Sequence, residues 1–344
     1  MTKKNLPFLG KVFACNPYPA TMEATPWRTA MPVCLLPLLL AANAPSAAPD
    51  TPTGPVRVYI LAGQSNMQGT GFVKADPKRN EGKGSLEYMA KNPATAQRFA
   101  PLLAKADGPE PTWKVRDDVW IHYLDRKGRL TPGFGAGPDC IGPELGFGQI
   151  IGDQSTEPVL LIKLAWGGKS LAKDFRPPSA GGETGPFYRE IIHKTKAVLK
   201  DMGTEFPELA GRPHTLAGFG WHQGWNDRVN QAFNDEYQKN LACLIRDIRK
   251  DLGVKDLPFV IAETGMTGPK ETHPRALSLM KAQAAVATYP EFKGTVAFVP
   301  TRDFWRDKEL SPTDQGYHWN TNAETYYLIG EAMGKAMLGL EGKR

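Results

Sequence analysis

The sequence predicts an α/β fold: a parallel sheet with helices on both faces. Two patterns carry that expectation. Short apolar runs recur at residues 56–62, 159–165, 216–221, 259–263 and 296–300, each nearly continuous, as strands buried on both faces are. Helical stretches lie between them, at about 144–153, 188–202, 234–251, 275–288 and 323–340, and such alternation builds parallel sheets. Composition agrees, since 41% hydrophobic and 23% charged residues over a 344-residue chain describe a globular protein rather than a disordered or fibrous one.

Residues 1–48 read as a secretory signal. An apolar run at 31–42 follows Arg28 and precedes the small residues Ala42, Asn43, Ala44, Ser46, Ala47 and Ala48, the three parts of such a segment. The run is short for a bilayer span and carries Pro32 and Pro37, so the expectation is cleavage near 44–48 and a secreted or periplasmic product. Met22 or Met31 is an alternative start. Residues 49–344 are then a single domain, with no internal repeat or dividing linker.

Half of the formal charge of +6 lies in residues 1–48, as Lys3, Lys4, Lys11 and Arg28 against Glu23. Elsewhere cations and anions interleave, as in residues 246–251, so no basic stripe exists to follow a phosphate backbone. Nucleic acid is not an expected partner, and no stable membrane span is expected once the signal is removed. Cys15 and Cys34 fall in the leader. Cys140 and Cys243 form one disulfide or stand as two buried thiols.

After the first strand, residues 71–140 break the alternation. They are rich in Lys, Asp, Gly and Pro with one β run at 119–124 and a turn at 125–128, and read as an insertion carrying a hairpin. It leaves from a strand's carboxyl end, where open α/β sheets bind ligands, and is expected to wall the site. The next helix opens with Gly142-Pro143-Glu144, a proline and an acid suited to a first turn.

The chemistry-bearing residues cluster at strand ends. The first strand runs into Gly63-Gln64-Ser65-Asn66-Met67, making Ser65 the candidate nucleophile, although a lone serine after a strand is more often a helix cap. The second ends in Trp166-Gly167-Gly168, where glycines let a main-chain N–H face the same crevice, and the third in His222-Gln223-Gly224-Trp225-Asn226-Asp227, where Asn226 can donate. A hydroxyl and two donors are an acyl-transfer inventory: a nucleophile, and dipoles for the oxyanion. The base that a serine needs is His318, before the last helix, with His222 as second choice. Asp314 is the carboxylate nearest upstream of His318, with Asp303, Asp307 or a Ser–His dyad as alternatives. Trp225 and Trp319 are candidates for contact with a sugar ring; Trp221 is expected in the core and Asp227 in a structural role.

These four blocks, in this order, resemble those of the SGNH hydrolases. Gly63-Gln64-Ser65-Asn66-Met67, Gly142-Pro143-Glu144-Leu145 and His222-Gln223-Gly224 are further similar to the sialate O-acetylesterase-like carbohydrate esterases, and through them to the acetylxylan esterases of carbohydrate esterase family six. The resemblance covers most of residues 55–340. It implies a flavodoxin-like three-layer α/β/α sandwich with a central five-stranded parallel sheet. Within it Ser65 is the nucleophile, His318 the base and Asp314 the triad acid. The Ser65 and Gly168 N–H groups and the Asn226 side chain form the oxyanion hole. Gln64 and Gln223, inside the shared blocks, join Trp225 and Trp319 as candidate substrate contacts. Two positions depart from the pattern: Trp225-Asn226-Asp227 stands where those esterases carry Glu-Ser-Asp, and Gln315 holds the usual place of the triad acid.

The implied activity is removal of O-acetyl groups from a carbohydrate through an acyl-serine. Phosphate-loop, Gly-x-Ser-x-Gly and His-Glu-x-x-His motifs are absent, so no cofactor or metal is expected. Two rival readings stay open: a carbohydrate-binding protein on the same scaffold that has lost turnover, and an esterase acting on a lipid or thioester.

Overall fold

Side-chain alternation along one strand sets the architecture. In β1 (Val56–Gly63), Val56, Val58, Ile60 and Ala62 join one apolar cluster while Tyr59 and Leu61 join a second. A strand with two buried faces has to sit inside a sheet covered on both sides. The computed structural model, which describes residues 53–105 and 111–342, shows that arrangement. The leader expected over residues 1–48, with Cys15 and Cys34, lies outside the described residues.

The remaining strands of the main sheet are β2 (Val119–Tyr123), β3 (Arg126–Arg129), β4 (Val159–Ala165), β5 (His214–His222), β6 (Phe259–Ala262) and β7 (Val296–Val299). Their spatial order is β7-β6-β5-β1-β4-β2-β3. Every neighbouring pair is parallel except the β2/β3 hairpin. The five strands expected from the sequence are adjacent, but the sheet has seven, because the hairpin of the insertion adds to it rather than standing apart. Val119, Ile121 and Tyr123 are buried there, so β2 covers the edge of β4. The outermost strand β3 reads Arg-Lys-Gly-Arg, and charge on an edge strand discourages further pairing.

Helices α1 (Ser65–Gln68), α2 (Pro143–Gln154), α3 (Pro186–Glu205), α4 (Gln231–Leu252), α5 (Pro274–Val286) and α6 (Ala323–Glu341) complete the frame. Apolar residues of α2 and α6 pack with Tyr59 and Leu61; those of α3, α4 and α5 pack on the opposite face. The α2–α6 approach depends on glycine. A β-carbon at Gly330 would stand 2.0 Å from the Pro143 carbonyl oxygen, and one at Gly146 2.1 Å from that of Tyr327.

The insertion is clasped at its base, where Gly71–Phe72 pairs antiparallel with Cys140–Ile141. It also grips the segment before α6. Asn80 Nδ2 donates to the carbonyls of Lys308, Glu309 and Ser311 at 2.9–3.1 Å, and Ala323 N donates to Gly84 O at 2.7 Å. Cys140 and Cys243 are free thiols, so the possible disulfide is not formed.

One buried ion pair ties these parts together. Lys163, on β4, is fully buried and its Nζ lies 2.6 Å from Glu144 Oε2. The same ammonium donates to the carbonyls of Gln68 and Phe134, each at 2.7 Å, and lies 4.5 Å from the centroid of the Tyr123 ring. Burial pulls the Lys163 ammonium below its ordinary value while Glu144 opposes that pull. Removing one member strands the other charge, so Lys163→Met should cost about 3–5 kcal/mol of stability. Adding Glu144→Gln, which removes the stranded charge and keeps an acceptor for Gly142 N, should recover part of the loss. Urea denaturation of both variants checks this; a single variant as stable as wild type would show that the pair is not stabilising.

Candidate active site

Strand register assembles the site. Gly63, the last residue of β1, pairs with Ala165 of β4 on one side and His222 of β5 on the other. The chain therefore leaves all three strands at one level, at Gln64, Trp166 and Gln223. Gln64 precedes the single turn of α1 with its backbone extended, and its buried side chain reaches across to the third block. Oε1 accepts from the N–H groups of Gly224 and Asn226 at 3.1 and 3.3 Å, and Nε2 donates to Asn226 Oδ1 at 3.3 Å. Gln64 is thus a cross-link between strand ends, not the substrate contact the sequence suggested: it is 2% exposed, with both amide atoms occupied.

Three candidate donors lie at these strand ends. Ser65 is the first residue of α1, where N–H groups have no partner within the helix. Neither its N–H nor that of Gly168 donates to another described residue. Gly168 is exposed and left-handed, with φ 70°. Asn226 Nδ2 donates to Gly168 O at 2.7 Å, which holds the second and third blocks together and leaves its other amide hydrogen free. The Ser65 hydroxyl, half-buried, has no hydrogen-bond partner among the described residues.

A buried carboxylate fixes the loop behind these donors. Asp227 accepts from Leu171 N at 2.8 Å, Ala172 N at 2.9 Å and Gln223 Nε2 at 2.5 Å. Burial pushes its carboxyl up to about 6 against the pull of those donors. Gln223 is 1% exposed and also donates to Lys169 O, while Tyr237 Oη donates to its carbonyl. It too is internal scaffolding rather than a substrate contact.

The histidine arrives on a strained turn. Trp319, Asn320 and Thr321, directly after His318, all have φ between 52 and 55°, a conformation that costs non-glycine residues on the order of 1 kcal/mol or more each. Surrounding groups hold it. The Trp319 indole is fully buried beside Trp305, Asn320 Nδ2 donates to Arg306 O at 3.0 Å, and the Thr313 and Thr321 hydroxyls bond each other. Asn66, next to Ser65, joins this loop to the first block. Its Nδ2 donates to Tyr317 O at 3.0 Å, and its Oδ1 accepts from Tyr326 Oη, which also lies 3.2 Å from His318 O. The two candidate catalytic side chains are therefore tied through their neighbours, although no hydrogen bond joins the Ser65 hydroxyl to the imidazole.

Asp314 does not reach His318. Its carboxylate is 72% exposed and pairs with Lys308 Nζ at 3.2 Å. Asp307 is engaged by Lys270 and Trp305 Nε1, and Asp303 is exposed. Burial alone lowers the imidazole of His318; no carboxylate raises it. Asp314, one residue from the usual place of the triad acid, has its side chain on the solvent side of the loop. His222, the second candidate base, is 1% exposed and pushed down to about 4 by burial, so it is a neutral internal residue.

The aromatic candidates separate equally clearly. Trp319 is fully buried and cannot touch a substrate; packing beneath the strained turn accounts for it. Trp221 is in the core, as expected. Trp225 is half-buried, with the Arg228 guanidinium 4.4 Å from its ring centroid. Tyr317, which sequence reasoning passed over, is 45% exposed, with its ring 4.5 Å from that of His318 and 5.8 Å from that of Trp225. Asn66 and Tyr326 were also missed. Asn66 sits inside the first block and was legible there, whereas Tyr326 is an ordinary helix tyrosine until the fold brings it to Asn66. Among the described residues no three His, Cys, Asp or Glu side chains cluster as around a metal ion. Since Asp314 faces Lys308, Asp314→Asn should leave the His318 titration unchanged within about 0.3 pH unit, followed by NMR of the imidazole protons. A drop of a whole unit would show that the two groups pair in solution.

Comparison with known proteins identifies the family. Residues 55–339 match the family described as carbohydrate esterase, sialic acid-specific acetylesterase. No curated protein matches. Among solved structures, a protein from Arabidopsis thaliana superposes with a TM-score of 0.55 at 16% identity, over 83% of this chain and 98% of its own. NanS superposes with 0.54 at 14% identity, over 85% of this chain and 100% of its own. XAC1771, a carbohydrate acetylesterase from Xanthomonas citri, gives 0.50 at 14% identity, over 81% of this chain and 55% of its own. At such identities the structures speak for the fold, a mostly parallel α/β sandwich of the SGNH kind, while the family match covers nearly all of the described residues. The chain belongs to the sialic acid-specific acetylesterase family of carbohydrate esterases, hydrolases that act on ester bonds.

Proposed function

We propose that this chain removes O-acetyl groups from a carbohydrate through an acyl-serine at Ser65, after export directed by residues 1–48. The observation that carries the reading is a serine hydroxyl and two N–H groups, those of Ser65 and Gly168, without partners among the described residues, with a spare Asn226 amide hydrogen at the same strand ends. Ser65 Oγ attacks the acetyl carbonyl carbon and its proton passes to His318. The oxyanion that forms is held by the Ser65 and Gly168 N–H groups and Asn226 Nδ2, donors fixed in advance by the Gln64 and Asp227 cross-links. Collapse expels the sugar oxygen, which takes the proton back from His318. Water then attacks the acetyl-serine with His318 again as base, releasing acetate.

With no carboxylate beside it among the described residues, His318 works as the partner of Ser65 in a dyad, and burial keeps it neutral to lower pH than an ordinary imidazole. Tyr317 and Trp225 offer aromatic faces at the mouth for a sugar ring. Export is consistent with the apolar run at 31–42; among the described residues no helix is long and apolar enough to cross a membrane.

Acetate release from p-nitrophenyl acetate and from acetylated xylan tests the assignment. Ser65→Ala should abolish turnover in a folded protein, and Asn226→Ala should lower kcat by about 100- to 1,000-fold. An active Ser65→Ala variant would end the acyl-serine reading. Because the base must be neutral, kcat/KM should fall on the acid side with an apparent pKa below the ordinary imidazole value of 6.5; an acid limb above that value would point to a different base.

A further inference from the structure

Gln68, the last residue of α1, makes three contacts that the reaction above does not use. Its carbonyl oxygen accepts from the buried Lys163 ammonium at 2.7 Å. Its Nε2 donates to Tyr123 Oη at 3.0 Å, which turns Oε1 the other way. There Oε1 meets the oxyanion loop: a β-carbon on Gly167 would stand 2.9 Å from it and 3.9 Å from the Ser65 β-carbon. Gln68 thus spans the distance from the sealed Lys163–Glu144 pair to the backbone that presents the Gly168 N–H.

The segments it joins need such support. A four-residue helix has too few hydrogen bonds to hold its own geometry. Gly167 and Gly168 are both exposed and glycine is the least constrained residue. One amide is hydrogen-bonded to this loop, that of Asn226 donating to Gly168 O, and a second, that of Gln68, stands where a β-carbon on Gly167 would meet its Oε1. Oxyanion donors act only when held within a fraction of an ångström of their working positions, and a displacement of about 1 Å costs on the order of 100-fold in rate.

We propose that Gln68 is a positioning residue for the esterase reaction: anchored by Lys163 and oriented by Tyr123, it holds the oxyanion loop at Gly167 in register with Ser65. The inference rests on the acyl-serine reading and predicts where the catalytic geometry is enforced. Gln68→Met keeps the bulk and loses the amide; Tyr123→Phe removes only the hydroxyl that orients it and leaves the ring beneath Lys163. With p-nitrophenyl acetate, Gln68→Met should lower kcat by about 10- to 100-fold and Tyr123→Phe by a smaller factor, with KM within about 2-fold and thermal midpoints close to wild type. The double variant should be no slower than Gln68→Met alone, because Tyr123 acts through Gln68. A merely structural role would lower stability or raise KM and would not produce that coupling.

Ser65→Ala measured alongside separates the two ideas. Unchanged kcat in Gln68→Met with an inactive Ser65→Ala would overturn the positioning role and leave the acyl-serine reading standing, whereas an active Ser65→Ala would remove the premise. Independent, multiplying losses in the double variant would also overturn the proposal. Should Gln68→Met fail to fold, Tyr123→Phe decides by itself: kcat unchanged would sink the idea, and a fall in kcat at constant KM would sustain it.

Discussion

Everything at the site hangs on the register of three parallel strands. Gly63 lies between Ala165 and His222 in the hydrogen-bonded ladder, so the residues that follow emerge side by side from the same edge. Parallel pairing has this property in general, since the carboxyl ends of neighbouring strands gather at one side of the sheet and backbone groups there are no longer consumed by the ladder. Here the loops use that freedom to leave two N–H groups without acceptors among the described residues, beside a serine. A slip of one residue in β1 would turn every side chain of the strand to the other face and move Ser65 from the line of the other two blocks. The two apolar clusters on either face of the sheet guard against such a slip.

Around that edge the chain buries several polar side chains. Gln64, Gln223 and Asp227 cross-link the three loops; Lys163 and Glu144 are sealed under the first helix; Gln283 reaches Thr264 N and Gln223 O. Buried polar groups are tolerable only when paired, and a fully paired network resists rearrangement because every alternative leaves some donor or acceptor dry. Rigidity is what the proposed oxyanion hole requires, since such donors stabilise the developing charge only if they need not move to meet it. The same logic fits the left-handed turn at 319–321: strain is tolerable where the buried Trp319 indole and the Asn320 amide leave the backbone no other place to go.

Much of this was legible in the chain before folding. The five strands and five long helices show as apolar runs and amphipathic stretches because periodicity is a local property. The blocks containing Ser65, Gly168, Asn226 and His318 each sit where a strand or a helix begins or ends, which composition also reveals. The hairpin at 119–129 was visible as a hairpin, but its membership of the main sheet was not, because that depends on an unoccupied edge of β4. The assignments that failed share one cause. Gln64 and Gln223 looked like substrate contacts because they lie inside shared blocks, and Trp319 because an aromatic ring beside the histidine suits a sugar; neither signal says which way a side chain points.

The α/β alternation, the order of the four blocks and, through them, membership of an esterase family are all legible along the chain, because these are patterns of neighbouring residues. Tertiary structure alone decided which residues of each block face the crevice and which brace it from behind. It turned Asp314 to Lys308 and left His318 without a carboxylate, exposed Tyr317 while burying Trp319, and joined Asn66 to Tyr326 across 260 positions of chain. Those outcomes depend on burial and on contacts between residues far apart in sequence, and only the packed chain brings such residues together.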